Sequence, residues 1–185
     1  AIGGGCEVLL ACDAVQAHSE SYMGLVEVGV GLVPAWGGCK EMITRWKDSP
    51  QEPKGPMSTI TKIFQNIGTA KVASSAQEAK ELNLLRVNDK ITMNKSRLLY
   101  DAKQVCLDMI ENYEAPDINE HYLPGLSGKA TLDLAVQDLI KAGHATPHDV
   151  VVTNELSYIL SGGDTDPTET VSDEKILEME REGIE

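Results

Sequence analysis

Three consecutive glycines, Gly3–Gly5, run straight into Cys6-Glu7 and an apolar stretch that closes at Cys12-Asp13. Glycine lacks a Cβ, so this start must turn tightly, and a ligand can come close to its backbone. The apolar stretch reads as a short helix, and a helix start leaves N–H groups unpaired at the positive end of its dipole. The combination suits an anion or a developing oxyanion, with Glu7 in the first turn facing the same space. Taken alone, the glycine run reads more readily as a plain turn. Glu7 alone reads as a first-turn carboxylate that complements the helix dipole.

Glu27 is the second unusual acid, because residues 24–33 around it are otherwise apolar or glycine. Burying an unpaired carboxylate is costly, so Glu27 either lies at an exposed edge or is buried for a purpose. Residues 14–17 read as a brief strand after the helix. A seven-residue helix advances roughly 10 Å, and the strand can run back about as far. The spacing therefore allows the two glutamates to meet in one pocket without requiring it.

The rest of the chain alternates turns with helical patterns. Pro34-Ala35-Trp36-Gly37-Gly38 is a loop before a helix start at 39–46, and three prolines make 48–56 a loop or insertion. Ile60, Ile63, Phe64 and Ile67 recur at helical spacing. Residues 75–85 and 94–113 form two more helical patterns, the latter with Leu98, Ala102, Val105, Met109 and Ile110 on one side. The turn-rich stretch 114–128 reads as a linker, and beyond it only helices are expected. Leu132, Val136, Leu139 and Ile140 mark one of them, over 129–142. Thr146-Pro147 with Asp149 opens the next, which Gly162-Gly163 ends, and Ser172 caps the last. With a single Phe and 4% aromatics, the core must be aliphatic.

A formal net charge of −13 opposes binding to nucleic acid or anionic lipid. The longest apolar stretch, 24–36, is broken by Glu27 and is shorter than the ~20 residues of a membrane-spanning helix, so no membrane partner is expected. Cys6, Cys12, Cys39 and Cys106 lack zinc or redox spacing and read as free buried thiols of a reducing cytoplasm. His18, His121, His144 and His148 lie in polar or turn segments without metal-ligand spacing and read as surface residues.

The string from Gly3 to Lys40, GGGCEVLLACDAVQAHSESYMGLVEVGVGLVPAWGGCK, resembles the signature of the enoyl-CoA hydratase/isomerase (crotonase) family. The shared pattern is Gly-Gly-Gly-Cys-Glu, an apolar helix ending in Cys-Asp, and a Gly-x-x-Glu whose acid falls twenty residues after the first. A Gly-Leu-x-Pro and a Gly-Gly pair follow. Residues 76–85, AQEAKELNLL, are similar to the family's later alanine-rich helix. The wider chain, with PHDVVV and GGDTDPTETV, is similar to bacterial bifunctional 3-hydroxyacyl-CoA dehydrogenases that carry a crotonase domain.

The resemblance implies an α/β chain: a partial crotonase-type ββα spiral, later turns only, followed by a mainly α-helical carboxyl-terminal region. Residues 1–113 would be the carboxyl-terminal part of the hydratase core, 114–128 the linker and 129–185 the helical region. It implies Glu7 and Glu27 as catalytic acids that add water across C2=C3 of an enoyl-CoA, Glu7 chiefly activating water and Glu27 protonating C2. Gly4 would give one oxyanion N–H, the second donor lying upstream of Ala1. Gly3, Gly5, Ala35 and Trp36 would line the substrate. Ala35 is a departure, standing where the family carries glycine after the proline; a methyl group there crowds the water or shifts the loop. No cofactor is implied beyond coenzyme A within the substrate, with NAD belonging only to a dehydrogenase part outside this chain. The expected partners are an acyl-CoA thioester and further copies in a trimer-type homo-oligomer. Both ends read as cut within structural elements, so the chain is expected to be a fragment that is inactive alone. An isomerase or acyl-CoA hydrolase of the same fold, or a non-catalytic helical assembly module, are the alternatives.

Overall fold

A computed structural model describes residues 1–50, 55–141 and 145–184. Helix α1 (Gly4–Leu10) leaves the glycine turn, and β1 (Gln16–His18) follows. A 3₁₀ turn covers Glu27–Val30, where the sequence shows only an apolar run. Helices α2 (Gly38–Asp48), α3 (Pro56–Gly68) and α4 (Ala76–Glu81) come next, then β2 (Lys90–Thr92) and α5 (Leu98–Met109). The remainder is β3 (Glu120–Tyr122), α6 (Gly125–Lys141), α7 (Pro147–Ser161), β4 (Thr170–Ser172) and α8 (Asp173–Glu182).

The core is aliphatic and centred on α3. Ile60, Ile63, Phe64 and Ile67 recur at three- and four-residue spacing and are all buried. They face α2, α6 and α7, whose buried residues include Met42, Ile43, Trp46, Leu132, Val136, Leu156 and Leu160. Each such aliphatic side chain contributes about 1.5–3 kcal/mol on full burial, so this cluster holds the helices in place. Helix α7 begins with a capping box, in which Thr146 and Asp149 bond reciprocally. Gly162, at φ 85°, ends it in the left-handed conformation.

Among the described residues the strands form two short pairs. β1 and β2 are parallel, with Gln16 opposite Lys90 and His18 opposite Thr92, and α5 lies beside β1. β3 and β4 are antiparallel, pairing Glu120 with Ser172 and Tyr122 with Thr170. Two expectations change here. The stretch 114–128 contains β3 and the start of α6, and the region beyond it contains β4. A three-residue pairing between segments fifty residues apart has no local pattern to reveal it.

Several side-chain expectations also change. His121 is fully buried: its Nε2 shares a 2.8 Å bond with Asp173 Oδ1 at the start of α8, and its Nδ1 has no partner among the described residues. Cys6 and Cys39 are buried as expected, but Cys12 is exposed, as is Cys106. On α5 the expected stripe of Leu98, Ala102, Val105 and Met109 is only half-buried and Ile110 is exposed. The readings that fall on 51–54, Ala142, His144 and Glu185 lie outside the described residues, as does the side chain of Leu139. No described helix is long and apolar enough to cross a membrane.

Candidate active site

The glycine turn is held against the segment that carries Glu27. Ile2 and Gly24 form a parallel bridge, the Gly3 amide donates to Gly24 O at 2.9 Å, and the Gly24 amide donates to Ala1 O at 3.3 Å. Gly24 must be glycine, because a Cβ there would lie 2.6 Å from Lys71 O. Three residues beyond that bridge the chain reaches Glu27. The pairing therefore converts a separation of twenty residues between the acids into spatial proximity.

Both carboxylates face the glycine turn. A Cβ on Gly3, whose φ is 58°, would lie 3.4 Å from Glu27 Oε1, and one on Gly4 would lie 4.0 Å from Glu7 Oε2. Gly5 has open space around it. Gly4 is exposed, and among the described residues its amide has no acceptor.

The surroundings of the two acids differ. Glu7 is buried, and its Oε1 accepts from the Trp36 amide at 2.8 Å and the Gly38 amide at 3.0 Å. Oε1 thus acts as a double acceptor, which fixes the orientation of the carboxyl group. Glu27 is half-buried as a residue, yet both its carboxyl oxygens are shielded from solvent and without a partner among the described residues. Burial pushes its pKa up, and repulsion from Glu7 adds to this. One acid is held by backbone donors and the other is shielded without them.

The loop before α2 supplies this difference. Gly37 has φ 99° and Gly38 packs so closely that a Cβ would lie 2.8 Å from Pro34 Cβ and 2.9 Å from Glu7 Oε1. Ala35 is half-buried beside it, while the Trp36 side chain is 76% exposed and does not pack into the core. Ile2, Val8, Val30 and Leu32 are likewise exposed. A cleft of about 390 Å³ lies elsewhere, lined by Thr44, Arg45, Asp48 and Arg86 among others, and neither Glu7 nor Glu27 borders it.

Two supporting residues escaped the sequence. Arg45 is buried and donates to Leu10 O at 2.7 Å and Leu84 O at 3.1 Å, satisfying the carboxyl end of α1; burial lowers its pKa to about 10. Glu180 of α8 is fully buried and accepts from the Gly37 and Lys40 amides. Its signal lay in the helix period: Ile176, Met179 and Glu180 share one buried face. Burial also raises the Cys39 thiol well above its usual range, helped by the charges of Glu180, Glu7 and Glu27. It stays a packed thiol and is no nucleophile. No group of three metal-ligating side chains occurs among the described residues.

Comparison with known proteins gives relatives but no matching family model. The chain is 40% identical over 184 residues to the probable 3-hydroxyacyl-CoA dehydrogenase of Bacillus subtilis, covering 99% of this chain and 23% of that protein. It is 43% identical over 112 residues to the short-chain-enoyl-CoA hydratase of Clostridium acetobutylicum, covering 60% of this chain and 36% of that protein. The chain thus spans well under half the length of these curated relatives. Among solved structures, EchA1_1 from Mycobacterium paratuberculosis aligns over 82% of this chain and 45% of its own, with 26% identity and a TM-score of 0.44.

Proposed function

We propose that this chain belongs to the enoyl-CoA hydratase/isomerase (crotonase) family, as its identity to the relatives above supports, and that it carries the acid–base pair of a 2-enoyl-CoA hydratase acting in fatty-acid β-oxidation. The observation that carries this reading is the convergence of Glu7 and Glu27 on one glycine turn in contrasting surroundings.

Glu7 is held as an acceptor by two backbone amides, so its second oxygen, Oε2, is the one available to take a proton from water as that water attacks C3. Glu27, whose carboxyl burial pushes above its ordinary value, is the group that delivers a proton to C2. As C2 is protonated through an enolate-like state, the thioester oxygen gathers negative charge, and the Gly4 amide at the start of α1 donates to it. One such donor contributes about 10²–10³ in rate. Gly3 and Gly5 leave room for the thioester, while Ala35 and the exposed Trp36 border the acyl group.

The substrate is an acyl-CoA thioester, and no further cofactor enters the hydration. NAD belongs only to a dehydrogenase part outside this chain. A cytoplasmic location and a trimer-type homo-oligomer complete the reading. Loss of crotonyl-CoA absorbance tests it, with the protein that carries this sequence. Glu7→Gln and Glu27→Gln should each lower kcat by about 10²–10⁴. Full turnover in either variant removes that residue from the mechanism.

A further inference from the structure

Four amide N–H groups at the start of α2 are shared between carboxylates from opposite ends of the chain. Glu7 Oε1 accepts from Trp36 and Gly38. Glu180 Oε2 accepts from Gly37 at 2.6 Å, and its Oε1 from Lys40 at 2.7 Å. Resting on the hydratase reading above, we infer that Glu180 is a positioning residue for Glu7. From α8 it fixes the turn whose alternate amides hold Glu7 Oε1 and leave Oε2 directed toward Gly4.

Gly37 and Gly38 bring no side chain of their own, and Gly37 sits in the left-handed region. Successive N–H groups in such a turn point to different sides, so one carboxylate cannot satisfy them all. Glu180 supplies the second acceptor from a rigid base. It is fully buried, Ile176 and Met179 anchor its helix in the core, and Leu177 Cδ2 lies 3.4 Å from the Cβ position of Gly37. Charge-assisted bonds of this kind are roughly twice as strong as neutral ones. A shift of about 1 Å in a reacting group can lower a rate about 100-fold, so a loosened turn would reach the chemistry through Glu7.

The charged and titratable groups that face Glu180 are Glu7 from α1 and Cys39 and Lys40 from α2. Burial pushes its carboxyl up to about 7, with Glu7 adding to the push and Lys40 and the two amide bonds opposing it. Protonation turns one acceptor oxygen into an O–H that confronts an N–H donor. The turn is therefore held tightly above pH 7 and loosened below it.

Glu180→Gln in the protein that carries this sequence tests the inference, since it keeps the shape but sets an NH₂ against one amide. We expect kcat for crotonyl-CoA to fall roughly 10- to 100-fold with KM within about 2-fold. Hydrogen exchange at the Trp36 and Gly38 amides, which Glu180 does not touch, should quicken about 10-fold along with Gly37 and Lys40, while the α7 amides stay unchanged. Faster exchange confined to Gly37 and Lys40, or spread equally through α7, would overturn the inference, as would a raised KM with unchanged kcat. Should the variant fail to fold, the wild-type protein suffices: the Trp36 and Gly38 amide shifts should follow one proton near pH 7 in step with Gly37 and Lys40. Movement of Gly37 and Lys40 alone would overturn it. A wild-type protein that shows the exchange coupling but no hydration would refute the hydratase reading and leave the coupling standing.

Discussion

Replacing Glu27 by methionine should stabilise the protein while removing its chemistry. Both carboxyl oxygens of Glu27 are shielded from water and have no partner among the described residues, so folding strips them of hydration without return. Leaving a buried polar group unsatisfied costs about 1–3 kcal/mol. Glu27 as a whole is only half-buried, which places the expected gain nearer ~1–2 kcal/mol. For a chain of this size that corresponds to a rise in Tm of roughly 2–8 °C. The sign with pH follows from the raised pKa. Ionisation is opposed in the folded state, so this group's stability contribution is fully present below the ordinary value of 4.5 and is lost as pH rises through the folded value. The advantage of Glu27→Met should thus be largest near pH 8 and shrink toward pH 4. Thermal unfolding by circular dichroism at the two pH values reads this directly. A lower Tm for the variant at pH 8, or an advantage that does not diminish in acid, would refute the argument.

Gly38→Ala places a methyl group 2.9 Å from Glu7 Oε1 and 2.8 Å from Pro34 Cβ. It should cost about 1–3 kcal/mol in stability and lower kcat about 100-fold by displacing Glu7, as thermal unfolding and turnover assays will show; an alanine variant with wild-type kcat would contradict the packing. Asp173→Asn weakens the bond to buried His121 and the bond from the Asn119 amide. The Asp173 carboxyl is held below its usual range by these hydrogen bonds against the opposing effect of burial. Its contribution is therefore present above the ordinary value of 3.8 and lost as pH falls through the folded value. The variant should be less stable than wild type at pH 7, with the gap closing toward pH 2; equal denaturation midpoints at pH 7 would count against it.

The residues show why some of this was legible in the sequence and some was not. The stripe Ile60, Ile63, Phe64 and Ile67 and the Thr146-Pro147-Asp149 start of α7 depend on neighbours within one or two helical turns, and local spacing reveals such features. The glycine turn and its two acids stand out because glycine runs and a lone carboxylate among apolar residues are physically costly unless used. What holds those acids in place was hidden. Glu180 is one of several glutamates in α8, and only its register beside Ile176 and Met179 sets it apart. His121 seemed a surface residue because its partner, Asp173, is fifty-two positions away. The β3–β4 pair is equally non-local. Trp36 was singled out for its indole, yet it is its backbone amide that makes the contact with Glu7, while the side chain stands exposed.

Crotonyl-CoA turnover in D₂O tests the acid–base pair most directly, because it follows the water oxygen and the C2 proton in a single product. The account predicts 3-hydroxybutyryl-CoA bearing one deuterium at C2, formed by the wild-type protein and suppressed by Glu7→Gln and by Glu27→Gln. Free coenzyme A as the product, or deuterated hydroxyacyl-CoA formed equally well without either glutamate, would contradict it.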